Sequence, residues 1–513
     1  MKAKLCIFLS VVILMLNMPP LFSFANTQPA DTEKTAARDI SSETTFTSVG
    51  FTDAFRANNG GEGINAKGSA GASFTLQSDE PIGSLYVAFG EEYGEWQITA
   101  EGSETVYRQS EIYIHQYVDI SAHFGGEVKK ITLTFPQPNA KISEIYVFSI
   151  GESPDWVQKW DMPHEKADVL LVTTHSDDEL LFFTGAIPYY TAIGRSVQVV
   201  YLTEHTTSNV RHHERLNGLW KAGLRNYPVF GGFTDRYSEG EEWAKRNLIK
   251  DGHTMEELDS FCTEILRRFK PKVLLAHDLN GEYGHGQHIL CATGLARALK
   301  ASTDETKFPE SAEKYGTYDV PKAYFHLYKE RPIVFNWDIP MEQLGGMTPF
   351  EVSREAFKCH ESQYDYYAHF LFGTKSRPIN LASEVTYYSA CHFGLYRSTV
   401  GDDSGIGDIF ENLIPYTAEP TPPENTPPEN TEDSTVDTGD NTKDTAPTDT
   451  ETSTDMSGDT KDDVTKDTGI DTNTQGDKNG AHSTDVRYYT AVLISAAAVA
   501  LLTMTVIYLR KKK

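Results

Sequence analysis

The 513-residue chain predicts an α/β fold built on a mostly parallel sheet, preceded by an all-β unit. Three observations lead there. From about residue 165 to 415, short β-rich runs alternate with longer runs of helical spacing. The first of these runs, Val169-Leu-Leu-Val-Thr-Thr174, passes straight into His175-Ser-Asp-Asp-Glu179. An open α/β sheet delivers reactive groups in this way, where a strand ends and a helix begins. By contrast, about residues 45–152 hold only short strand-like runs separated by Gly, Asn, Ser and Pro.

In chain order, residues 1–25 read as a secretory signal. Lys2 and Lys4 precede an apolar run, and Ser23-Phe-Ala25 offers a cleavage site. Residues 45–152 follow as an all-β, jelly-roll-like sandwich, with runs such as Ser84-Leu-Tyr-Val-Ala-Phe89 and Lys130-Ile-Thr-Leu-Thr-Phe135. Trp96 and Tyr107 are there either sugar platforms or core. The α/β region predicts strands at 168–174, 196–202, 228–230, 272–276 and 323–327. Helices are predicted at 212–223, 254–269 and 287–300, giving a Rossmann-like sheet covered on both faces. No GxGxxG follows the first strand, so no nucleotide cofactor is expected.

Residues 418–487 are an acidic Thr/Asp/Pro-rich linker. Between 418 and 486 there are 18 acidic residues against 4 lysines, about half of the whole-chain net charge of −27. The acidity therefore belongs to a solvated spacer and not to a ligand surface, and no nucleic-acid partner is expected. Residues 488–509 carry no charge over 22 positions and precede the basic tail 510–513. That length suits a bilayer core of roughly 30 Å, so the chain is expected to be secreted and anchored at the cell surface by one C-terminal helix. Cys262, Cys291, Cys359 and Cys391 form no CxxC pair; disulfides and free thiols both remain open.

The chemistry gathers in two clusters. His175 and Asp178, three residues apart, can face one cation while Asp177 between them stays free for proton work. After the strand at 272–276 comes His277-Asp-Leu-Asn-Gly-Glu-Tyr283-Gly-His285-Gly-Gln-His288, with His285 and His288 at the entry to a helix. Both clusters leave the carboxyl ends of strands and can converge.

Thr174-His-Ser-Asp-Asp-Glu179 with His285-Gly-Gln-His288 resembles the PIG-L (LmbE-like) family of zinc-dependent de-N-acetylases, as does a late block, Lys358-Cys-His-Glu-Ser-Gln363. Ser176 stands where the family usually has proline. The resemblance implies that His175, Asp178 and His288 hold Zn2+ or another divalent metal. It implies Asp177 as general base, His285 as donor of a proton to the leaving amine, and Tyr283 or His285 as oxyanion donors. Arg211 and Asp235 fall where substrate contacts are expected. Glu179 caps a helix or orients a ligand. The implied activity is removal of acetyl from an N-acetylated glycan; the alternatives are hydrolysis of another N-acyl amide, or an inactive glycan-binding protein. The β unit loosely resembles galactose-binding-like modules of glycan enzymes. His205, His212 and His213 read as a solvated helix face, and Tyr364-Asp-Tyr-Tyr367 as cleft wall or core.

Overall fold

Alternating burial along the predicted strands produces two sheets. The structure is a computed structural model that describes residues 35–205, 208–404 and 408–418. The first part contains β1 (Thr45–Thr52), β2 (Ala66–Gln77), β3 (Ile82–Phe89), β4 (Trp96–Ala100), β5 (Val106–Gln109), β6 (His115–Asp119), β7 (Lys130–Phe135) and β8 (Ala140–Ser149). Hydrogen bonds link all eight into one antiparallel network in the order β5-β4-β7-β2-β8-β3-β6, with β1 on β2. The network is continuous because β2 changes partner along its length. Ala66–Gly68 meet β8, and Ala72–Gln77 meet β7. Inward residues of both halves, among them Leu85, Val87, Ile145, Ile98 and Leu133, share one apolar core. Trp96 is fully buried in that core with its indole N–H on Gln116, so it is no exposed sugar platform.

The second part contains β9 (Val169–Thr173), β10 (Val197–Glu204), β11 (Val229–Thr234), β12 (Val273–Ala276), β13 (Lys322–His326), β14 (Pro332–Val334), a small hairpin of β15 (Gly373–Thr374) and β16 (Arg377–Pro378), and β17 (His392–Ser398). Its main sheet runs β11-β10-β9-β12-β13-β17-β14. The five strands from β11 to β13 are parallel, and β17 is antiparallel to both neighbours. Val169 and Leu171 face one core while Leu170 and Val172 face the other, as the period of two requires for a sheet buried on both sides. The helix Met255–Phe269 starts at a capping box of Thr254 and Glu257, and covers the second core with Gly286–Ala301. Strand order reverses at β9: β10 lies to one side and β12 to the other. That reversal opens a crevice at the carboxyl ends of β9 and β12.

The two parts share apolar packing, since Tyr113 and Ile114 belong to the core beneath the α/β sheet. Tyr113 stacks on Tyr227 at 4.4 Å, and the Tyr227 hydroxyl accepts from the Ile114 N–H at 3.1 Å. Cys262, Cys291, Cys359 and Cys391 are all free thiols. The membrane-anchored location expected from the sequence is corrected: among the described residues no helix is long and apolar enough to cross a membrane. The segments read as signal (1–25), linker (418–487), span (488–509) and tail (510–513) lie outside the described residues, apart from the backbone of Ala418.

Candidate active site

β9, β10, β11 and β12 each deliver a site residue from their carboxyl ends: the 175–178 turn, His205, Asp235 and the 277–288 loop. Asp178 opens a one-turn helix, Asp178–Leu181, and His288 lies in the first turn of Gly286–Ala301. Asp178 Oδ2 lies 3.0 Å from His175 Nδ1 and 3.1 Å from His288 Nε2, and the two nitrogens are 3.1 Å apart. Donors bound to a tetrahedral ion at about 2.0–2.1 Å would lie roughly 3.3 Å apart. The three residues expected to hold a metal are therefore brought to that spacing.

The protons around this triangle establish what it can bind. Gln287 Oε1 accepts the Arg236 N–H at 2.9 Å, so His175 Nε2, 3.0 Å away, must carry a proton and donate it. Glu282 can only accept, so His288 donates from Nδ1 at 2.8 Å. In its neutral form each ring therefore turns a lone pair towards Asp178 and towards the other ring, a place that a proton or a metal ion can fill. Three electron-rich atoms facing one another in a buried pocket demand a cation, and two imidazoles with one carboxylate suit a divalent transition metal. The charges tell the same story. Burial would raise Asp178, but His288 and His175 hold its carboxylate well below the usual range. Burial lowers His288, yet Asp178 and Glu282 outweigh it and push it up to about 10.

Asp177 points away from the triangle, with left-handed backbone at φ 114°. Its N–H donates to Glu179 Oε2 at 2.9 Å, which ties the strained turn to the helix it starts. Burial pushes the Asp177 carboxyl up to about 8, opposed by Arg211 and assisted by Asp178. Arg211 Nη2 lies 3.1 Å from Asp177 Oδ2, and the same guanidinium binds Glu214, His360 and the Ser176 carbonyl. It was expected to contact substrate; it borders the cavity of the site, and its donors also hold the 176–177 turn. Ser176 Oγ meets His205 Nε2 at 2.8 Å, so side-chain bonds hold the turn where a proline ring would stiffen it.

A cavity of about 350 Å³ opens beside these groups, lined by His175, Asp177, Asp178, Asp235, Tyr283 and His285 among others. Asp235 binds His205 Nδ1 at 2.9 Å and lies 3.6 Å from His175 Nε2. Tyr283 is partly exposed on the wall, with left-handed backbone at φ 46°. The His285 ring centre is 4.6 Å from those of both His175 and His288, and its Nδ1 is buried without a hydrogen-bond partner. Burial, with His175 and His288 beside it, pushes His285 down to about 2. Ser362, Gln363 and Tyr367 complete the rim. The late sequence block thus reaches the site: Ser362 binds Glu214, which holds Arg211.

Sequence reasoning missed the carboxylate behind the triangle. Glu282 is fully buried and accepts from His288 and His277 at 2.8 Å, from His326 at 2.6 Å and from the Asp278 N–H. The only signal was a glutamate six residues before His288, among glycines that read as a turn. His205, His212 and His213 were expected on a solvated face. All three are buried: His212 and His213 because the helix Asn209–Lys221 is covered on that side by the all-β part, and His205, which precedes the helix, between Ser176 and Asp235.

Residues 170–299 match the family described as "PIG-L: GlcNAc-PI de-N-acetylase". The chain is 25% identical over 266 residues to 1D-myo-inositol 2-acetamido-2-deoxy-alpha-D-glucopyranoside deacetylase 2 of Saccharopolyspora erythraea, covering 48% of this chain and 87% of that protein. It is 28% identical to the corresponding deacetylase of Mycolicibacterium smegmatis, covering 32% of this chain and 60% of the relative. Among solved structures, N,N'-diacetylchitobiose deacetylase from Pyrococcus horikoshii aligns with a TM-score of 0.33 and 16% identity over 45% of this chain and 85% of that one. Residues 170–299 of the α/β part, which bring His175, Asp178 and His288 to the carboxyl edge of its sheet, thus carry a match to the PIG-L family.

Proposed function

We propose that the protein is a metal-dependent hydrolase that removes the acetyl group from an N-acetylglucosamine-type sugar. The observation that carries this reading is the convergence of two imidazole lone pairs on the Asp178 carboxylate, each lone pair determined by a hydrogen bond on the far side of its ring. His175, Asp178 and His288 would hold the ion; zinc suits the donor set and, when bound, polarises a carbonyl and lowers the pKa of water towards roughly 7.

The chain's own groups divide the remaining work. Asp177, beside the triangle and held by Arg211, accepts the proton of the water that adds to the acetamide carbon. Tyr283, whose phenol burial keeps neutral, and the neutral His285 ring donate hydrogen bonds to the carbonyl oxygen as it gains charge. His285 was expected to protonate the leaving amine. His285 and Asp177 both border the cavity, and Asp177, pushed up to about 8, can also return to the amine the proton it took. Asp235, also on the cavity lining, accepts from sugar hydroxyls. The C–N bond breaks and acetate and a free amine leave.

Two variants separate these roles. Asp177→Asn should keep its zinc and lose about 10²–10⁴-fold in kcat, whereas Asp178→Asn should lose the zinc itself. An Asp177→Asn protein with normal turnover would remove Asp177 from the mechanism.

A further inference from the structure

A second histidine pair lies where the all-β part meets the helix Asn209–Lys221, outside the candidate active site. His115 begins β6, and His213 projects from the helix; His115 Nε2 and His213 Nδ1 are 2.8 Å apart, with the rings nearly parallel at 17°. Glu62 Oε2 is 4.0 Å from His213 Nδ1. Both imidazoles are buried, and Glu62 belongs to the glycine-rich loop Gly60-Gly-Glu-Gly63.

Hydrogen bonds on the far sides of the rings assign the protons. Trp160 Nε1–H donates to Gln158 Oε1 at 2.9 Å, so that atom is an oxygen and can only accept. Gln158 Nε2 in turn donates to Asn217, and Asn217 donates to Glu62, which fixes the amides along the path. His115 Nδ1 lies 2.8 Å from both Gln158 Oε1 and the Tyr86 hydroxyl; because Gln158 Oε1 can only accept, Nδ1 carries a proton towards it, the rotatable hydroxyl adapts, and Nε2 of the neutral ring is left bare. The Ser143 hydroxyl donates to Asn65 Oδ1 at 2.5 Å and so can only accept from His213 Nε2 at 3.0 Å. That leaves His213 Nδ1 bare as well. Two lone pairs face each other across 2.8 Å beside a carboxylate, an arrangement that repels itself unless a cation lies between them. Burial pushes both rings below their ordinary pKa, which disfavours a proton as that cation.

We infer that Glu62, His115 and His213 form a second divalent-metal site, of zinc type, that clasps the all-β part to the α/β part. Its donor set of two imidazoles and one carboxylate repeats that of the candidate active site. Glu62 and His213 also line a cavity of about 1050 Å³ beside Tyr86, Trp156 and Trp220, which leaves the ion room for a further ligand. The helix held by His213 carries Arg211 and Glu214, the residues that fix the turn of Asp177. The clasp therefore bears on the position of that helix and not on the reacting atoms.

The test is zinc stoichiometry on the full chain, saturated with Zn2+ and freed of excess ion. Wild type should hold two equivalents. Asp178→Asn should keep one, and Glu62→Gln should keep the other. One equivalent in wild type that disappears in Asp178→Asn overturns the second site and leaves the proposed active site standing. One equivalent that survives Asp178→Asn and disappears in Glu62→Gln supports the clasp and overturns the active-site metal. Wild-type stoichiometry needs no variant to fold, so a poorly folded Glu62→Gln does not decide the matter. Replacing zinc by Co2+ gives a visible spectrum for each site, and both variants should retain a four- or five-coordinate signature.

Discussion

At the scale of single residues, the site turns on how one carboxylate is kept apart from another. Asp177 and Asp178 are neighbours in sequence, but the left-handed backbone of Asp177 sends them to different tasks. Asp178 is charged and faces two imidazoles; Asp177 is buried against one guanidinium, and burial pushes its carboxyl up to about 8. Because Arg211 opposes the upward shift of Asp177, Arg211→Gln should let the carboxyl rise further. The acidic limb of kcat/KM then moves to higher pH, and a pH–rate profile reads the shift directly. A limb that stays put or moves down would show that another group titrates there. The pair His175 and Asp178 was legible in the sequence because three residues of turn bring them together locally. Glu282 was not, because two of its partners, His277 and His326, come from the ends of separate strands that only the sheet order unites. Arg211 was legible as a site residue but not in its orientation, which depends on Glu214 and His360.

At the scale of elements, strand ends and helix starts do the positioning. Glu282 orients His288 from behind, and Glu282→Gln should weaken zinc binding by about 10–100-fold, measured by competition with a chelating dye. Unchanged affinity would mean that the histidine is oriented by packing alone. The start of the helix Gly286–Ala301 also depends on close approach. The Gly286 N–H donates to Ser238 O at 2.7 Å, and a Cβ there would collide with the Gly240 carbonyl. Gly286→Ala should cost about 1–3 kcal/mol in denaturant unfolding and displace His288. These elements were readable from apolar periodicity: the predicted strand at 168–174 is β9 (Val169–Thr173), and the predicted helix at 254–269 is Met255–Phe269. What periodicity could not give was which face another part of the chain covers. The helix carrying His212 and His213 looks polar by composition, yet its polar residues are buried by hydrogen bonds to the all-β part.

At the scale of the whole molecule, that interface makes the all-β part a structural partner. Tyr113 and Ile114 contribute to the core of the α/β part, and His115 and Gln158 carry a buried polar network between the two. Deleting residues 45–152 should therefore yield an unstable or aggregating protein; a soluble, fully active remainder would show the interface to be dispensable. The general alternation of strands and helices, and the convergence of two motifs at one sheet edge, were visible in the sequence because each is written in local pattern. The contact between the parts was not, since it depends on single polar side chains such as Gln158 and Ser143 that carry no periodic signal. The central claim is chemical, and acetate release from N-acetylglucosamine conjugates tests it most directly. The zinc-loaded chain should release acetate, lose that activity on chelation and regain it when zinc is restored. Release that persists in chelator, or a zinc-loaded chain that frees no acetate from any such conjugate, would contradict it.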